Sequence, residues 1–224
     1  MPHLFHPRKF FLACLAFAAL CIGNTLIAKA IPVSIVGNAN GSLATATVDC
    51  TFIPGMGGSG TLNFTITNTS PFDARITGIG FDLPPVGNAS SSGLNGFSGS
   101  SNNPNFTFSD AALGNVPQFN NAVLDFGFTT GNSGNFNGGS PNDGIAPGAM
   151  STFTVTGPFG NLTESQICNS IFVRFQRVGA NGEGSDVGVP TTPPQTPIPE
   201  PATMLLLGTG LAGVAARIRR RRES

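Results

Sequence analysis

The chain has 224 residues, a formal net charge of zero, 19 Phe, and neither Trp nor Tyr; that length accommodates one ordinary domain with tails. The zero is a cancellation. Between residues 31 and 201 only Arg75, Arg174 and Arg177 are basic, against ten acids (Asp49, Asp73, Asp82, Asp110, Asp125, Asp143, Glu164, Glu183, Asp186 and Glu200), so the body carries −7. An acidic body repels phosphate backbones, which argues against a nucleic-acid partner.

In chain order, the first feature is a secretory signal peptide over residues 1–30. Arg8 and Lys9 supply its positive start, residues 10–22 its apolar stretch, and Ala28 and Ala30 the small residues that flank a cleavage site. An uncleaved N-terminal helix is the alternative. Cleavage after Ala30 removes Cys14 and Cys21 and leaves Cys50 and Cys168, two cysteines with one possible pairing. In an oxidising compartment they are expected to form a disulfide, against the alternative of two buried thiols.

From residue 31 to 189 the pattern is that of a β domain. "LATATVDCTFI" (43–53) reads as a strand. "TLNFTITN" (61–68) alternates strictly, with Leu62, Phe64 and Ile66 on one face. "RITGIGFDL" (75–83) aligns Ile79, Phe81 and Leu83, and is expected to form a hairpin with the preceding strand. "AVLDFGFTT" (122–130) aligns Leu124, Phe126 and Phe128, and "STFTVTG" (151–157) aligns Phe153 and Val155. "LTESQICNS" (162–170) offers one helical turn, with Thr163 as N-cap and Gln166 three residues on. "SIFVRFQRV" (170–178) is apolar on both faces, Ile171, Val173 and Phe175 against Phe172 and Val178, which suggests a central strand. Between these runs, residues 84–105 and 131–149 are dominated by Gly, Asn, Ser and Pro and read as loops. Short strands with Gly/Pro turns predict an all-β domain, an antiparallel sandwich of Ig-like or jelly-roll topology.

After Val178 the composition shifts to Gly, then Pro and Thr. Residues 190–198 read as a semi-rigid linker. It leads to Pro199-Glu200-Pro201, an apolar run at 202–216, and the basic residues Arg217, Arg219, Arg220, Arg221 and Arg222. Fifteen residues of helix span about 22 Å, short of a hydrocarbon core of about 30 Å, so the run is a marginal transmembrane helix. The arginines hold its end cytoplasmic and the body outside.

The chemistry open to the body is narrow. His3, His6, Lys9 and Lys29 all lie in the signal peptide, so the body has no imidazole and no amine side chain. Serine triads, Schiff-base catalysis and His-ligated zinc all lack their essential group. Carboxylates remain, and Glu164 with Glu183 is the pair that a glycan hydrolase would need at about 5–9.5 Å. The spacing demands no such role, and the expectation is a protein with no catalytic residues, no metal ligands and no cofactor. Calcium is the cation that the oxygen-rich pieces around Asn142–Asp143 and Glu183–Asp186 would suit, although Asn-Asp and Asp-Gly are also ordinary turn formers.

The triplet 199–201, the run 202–216 and the basic end 217–222, in a chain that also carries an export signal, resemble the PEP-CTERM sorting signal of Gram-negative bacteria. The departures are Ile198, where Val is frequent, and Glu223-Ser224 beyond the arginines. The resemblance implies recognition by exosortase, a membrane transpeptidase, while the protein is held transiently in the inner membrane. It also implies release to the cell surface or to an extracellular exopolysaccharide or biofilm matrix. The body, through "FDLP" (81–84) and "FVRFQRVGANGEGSD" (172–186), is similar to the single β domain of other proteins with this tail, and that likeness brings no activity. A polysaccharide- or calcium-binding surface module is the alternative reading.

Overall fold

The computed structural model describes residues 31–84, 96–110, 113–131, 135–179 and 181–191. The elements are β1 (Ile31–Gly37), β2 (Thr45–Pro54), β3 (Gly60–Asn68), β4 (Arg75–Phe81), β5 (Ser98–Ser101), β6 (Phe106–Ser109), β7 (Asn115–Val116), β8 (Ala122–Val123), β9 (Phe126–Thr130), β10 (Met150–Gly157), α1 (Glu164–Cys168), β11 (Ile171–Val178) and β12 (Gly184–Pro190). Ten strands form one antiparallel sheet in the order β5-β10-β3-β2-β1-β12-β11-β4-β9-β6, and β7 pairs with β8 separately. The sheet rolls on itself into a flattened, nearly closed barrel, so that its two edge strands, β5 and β6, run side by side. At that seam Gly99 is required: a Cβ there would stand 2.2 Å from the Phe108 ring. Rolling the sheet limits the exposed edge, which would otherwise template pairing with other chains.

Phenylalanine fills the interior. Phe64 stacks on Phe153 (5.0 Å between centroids), Phe153 meets Phe128 (4.7 Å), and Phe81 stacks on Phe126, which touches Phe97 (4.9 and 4.5 Å). A ring with no polar handle needs no hydrogen-bond partner in such a core, which accounts for Phe serving where Tyr or Trp would bring a group to satisfy. The short helix also forms as expected. Thr163 Oγ1 accepts from Gln166 N–H at 3.3 Å and Gln166 Oε1 accepts from Thr163 N–H at 2.9 Å, a reciprocal capping box. Cys50 of β2 and Cys168 of α1 are disulfide-bonded with Cα atoms 6.1 Å apart.

Four strand-level expectations change. The hairpin between residues 61–68 and 75–83 does not form: β3 pairs with β2 and β10, and β4 with β11 and β9. The two strands instead face each other across the core, Phe64 to Phe81 at 5.4 Å. A period of two assigns a face to each side chain but does not choose the neighbouring strand. Residues 122–130 are two strands, not one. The chain breaks at Leu124 and Asp125, whose carboxylate accepts the Leu83 N–H at 2.8 Å. Leu124 thereby joins Leu113, Val116, Phe136 and Val187 in a second cluster on the outer face of the sheet, while Phe126 and Phe128 enter the main core. In β11 a bulge after Gln176, with Arg177 at φ 60°, turns Val178 back into the main core and away from the face of Phe172. Finally, β5 lies inside residues 84–105, read above as a loop, and β12 lies in the Gly-rich stretch after Val178 and ends at Pro190.

The strand registers give the barrel two distinct ends. Ile31 pairs with Cys50, and Thr191 N–H donates to Ser34 O at 3.0 Å, so the chain enters and leaves the fold at the end that carries the disulfide. β12 starts at the opposite end, six residue steps from Pro190, or about 20 Å away. The segments 38–44, 69–74, 144–149 and 181–183 cluster there, with Gly179.

Candidate functional site

Each carboxylate singled out from the sequence has a definite place. Glu164, in the first turn of α1, accepts the Phe52 N–H through Oε2 at 2.7 Å. That donor sits two residues past the Ile31–Cys50 pair, where β1 contributes no further partner to β2. Glu183 is exposed between β11 and β12. The two glutamates stand at opposite ends of β11, whose seven residue steps alone span about 23 Å. The structure therefore does not bring them to the separation of a two-carboxylate hydrolase.

Asp186 is fully buried. Its Oδ1 accepts from Asn40 N–H (2.7 Å) and Val187 N–H (2.8 Å), and Oδ2 from Ser42 N–H (2.9 Å). Burial alone would raise this carboxyl, but the hydrogen bonds of Ser42, Asn40 and Val187 outweigh it and hold the group below the usual carboxylate range. Asp186 thus pins the β1–β2 connection to β12. Its neighbour Glu183 is exposed, whereas Asp186 is buried. Asn142 lies next to Asp143 at the far end, but its Oδ1 accepts from Arg177 Nη2 at 2.8 Å, and a guanidinium repels a divalent cation. Among the described residues no three His, Cys, Asp or Glu side chains converge as a metal set.

The far end also holds a feature not anticipated from the sequence. A depression of about 550 Å³ is lined by Phe72, Asp73, Arg177, Gly179, Asn181 and Gly182. Asp73 Oδ1 accepts from Arg75 Nε at 2.7 Å and Oδ2 from Arg177 Nη1 at 3.2 Å. The Arg75 hydrogen bond and charge, helped by Arg177, hold the Asp73 carboxyl below its ordinary value. Two of the body's three arginines thus converge on one acid, and their scarcity was the signal available in the sequence. What hid the cluster was its dispersal over β4, β11 and two loops.

Among the described residues no helix is long and apolar enough to cross a membrane. The signal-peptide residues Ala28 and Ala30, the triplet Pro199-Glu200-Pro201, the apolar run 202–216 and the arginines Arg217 and Arg219 to Arg222 lie outside the described residues. The comparison with family models reaches the C-terminal part of them alone. The family model described as the PEP-CTERM protein-sorting motif matches residues 197–221. The chain carries a PEP-CTERM protein-sorting motif. The match begins six residues after Thr191, the last residue described in the fold, so little chain separates the PEP-CTERM segment from the β domain. The PEP-CTERM motif marks an exported protein that exosortase processes on its way to the cell surface. No curated protein and no solved structure matches the chain.

Proposed function

We propose that this protein is a non-enzymatic β domain that exosortase releases from a transient inner-membrane intermediate into the cell-surface or exopolysaccharide matrix. The observation that carries the reading is the PEP-CTERM match at 197–221, six residues beyond the last described residue of the β domain. The domain suits life outside the cytoplasm. It is closed by a disulfide, and Ile31, the residue that signal cleavage after Ala30 would leave first, already pairs in β1. Its lack of catalysis is supported by the absence of His and Lys from residues 31–201 and by the structural duty of Glu164.

Intact-mass analysis of protein isolated from the cells that make it tests the reading. The expected species starts at Ile31 and ends near Pro201. Surface protein that retains Arg217 to Arg222 would overturn sorting by cleavage and leave a plain anchored protein.

A further inference from the structure

We propose that the depression at the far end of the barrel is a carbohydrate-binding subsite, built on Phe72, Asp73, Arg177 and Asn181. It rests on the proposed surface location only in that an extracellular domain has access to matrix glycans. Its volume of about 550 Å³ lies within the range of about 300–1,000 Å³ usual for small-ligand sites.

The chemistry of the lining selects the ligand. Phe72 is half-buried against the core and offers an apolar platform. Around it, acceptors and donors alternate. The Asp73 carboxylate spends one lone pair per oxygen on Arg75 and Arg177, and its side chain remains 60% exposed. Arg177 spends one N–H on Asp73 and one on Asn142, and keeps further donors. The Asn181 amide, exposed at the rim, adds one of each kind. A pyranose presents the complementary pattern: vicinal hydroxyls that both donate and accept, around a ring with an apolar C–H face. Other ligand chemistries fit less well. The charged lining residues are one acid, Asp73, and one base, Arg177, so a phosphate or carboxylate ligand meets no excess of positive charge in the lining. A divalent cation would meet the guanidinium that already holds Asn142.

The groups are also held in place before any ligand arrives. Arg177 occupies the left-handed region, φ 60°, at a bulge position where glycine is the usual residue. A guanidinium kept there at the expense of backbone strain points to a use for the side chain. It is fixed at both ends of its fork, by Asp73 and Asn142, which lowers the ordering cost of binding.

The substitution Arg177→Gly separates binding from folding, because glycine accepts this conformation without strain. Protein purified from its own cells is titrated with dextran, mannan and galactan as neutral polymers, alginate as an acidic one, and inorganic phosphate as a plain anion. The site predicts saturable binding to at least one neutral polymer, weakened at least tenfold by Arg177→Gly and by Asp73→Asn, with the melting temperature of Arg177→Gly unchanged or raised. Absence of binding to every neutral polymer overturns the proposal, as does equal binding by both variants. Binding confined to alginate and displaced by phosphate assigns an anion site instead, and also overturns it. The mass of the same preparation reports on sorting independently: a processed chain that binds no glycan sinks the subsite alone, and an unprocessed chain that binds one sinks the sorting reading alone.

Discussion

Removing the Cys50–Cys168 bond, by Cys50→Ala with Cys168→Ala, perturbs the fold at its most consequential single link. The bond closes a loop of 118 residues, and in the chain-entropy model a loop of that length is worth about 5 kcal/mol at 25 °C. That is comparable to the whole net stability of many domains, about 5–15 kcal/mol. For a domain of this size the loss corresponds to a fall in melting temperature of about 10–20 °C. The urea midpoint should fall by about 2.5 M at a typical slope of about 2 kcal/mol/M. Alanine is the right replacement because both sulfurs are buried, each residue 1% exposed, and a serine hydroxyl would add an unsatisfied group. The same burial predicts that dithiothreitol leaves the native bond intact for hours and reduces it promptly in urea. Urea melts of wild type and double variant, with a non-reducing peptide map, make the assay. A midpoint shift equivalent to less than about 1 kcal/mol, with the native bond shown to be formed, would refute the entropy argument. Free Cys50 and Cys168 in the native protein would refute the bond.

Substitutions at three further positions test the fold's polar and steric joints. Asp186→Asn should cost about 2–3 kcal/mol at pH 7, because a carboxylate that accepts three backbone N–H groups is replaced by an amide with one acceptor oxygen. The folded Asp186 carboxyl lies below its unfolded value, so its contribution is complete above about pH 4 and is lost as pH falls through the folded value. Urea midpoints of variant and wild type should therefore converge on acidification, and a gap that stays constant would count against the assignment. Glu164→Ala should cost about 1–3 kcal/mol by stranding the Phe52 N–H, and Glu164→Gln, which keeps an acceptor, under about 1 kcal/mol; equal melts for the two would contradict this. Gly127→Ala should cost about 2–3 kcal/mol, since its Cβ would stand 2.1 Å from the Ile79 carbonyl oxygen, and backbone cannot step aside as a side chain can. Thermal melts that match wild type would show that β4 and β9 have slack at this point.

The all-β class, the capping box and the disulfide were legible in the sequence because each depends on short-range pattern or on elimination. Alternation of Leu62, Phe64 and Ile66 needs only the pleat, Thr163 and Gln166 need only one helical turn, and two cysteines admit one pairing. Strands β5 and β12 were hidden because "SGSS" and "GSDVGVP" carry turn-forming residues at positions where pairing with neighbours, not propensity, determines conformation. The bulge at Arg177 was hidden for a related reason: one inserted residue shifts the face of Val178 and leaves no mark in composition.

By itself the sequence determined what this protein carries and what it lacks. The sorting motif at 197–221 is a linear signal read as a sequence, and the absence of His and Lys from the body removes whole classes of chemistry whatever the fold. Tertiary structure alone decided which residues meet. It joined Asp73 to Arg177, 104 positions apart, through the pairing of β4 with β11. It placed their cleft at the end of the barrel opposite the chain's exit and kept Glu164 and Glu183 apart. Such meetings depend on strand order, and strand order is set by the packing of the whole rolled sheet, which no local stretch of sequence encodes.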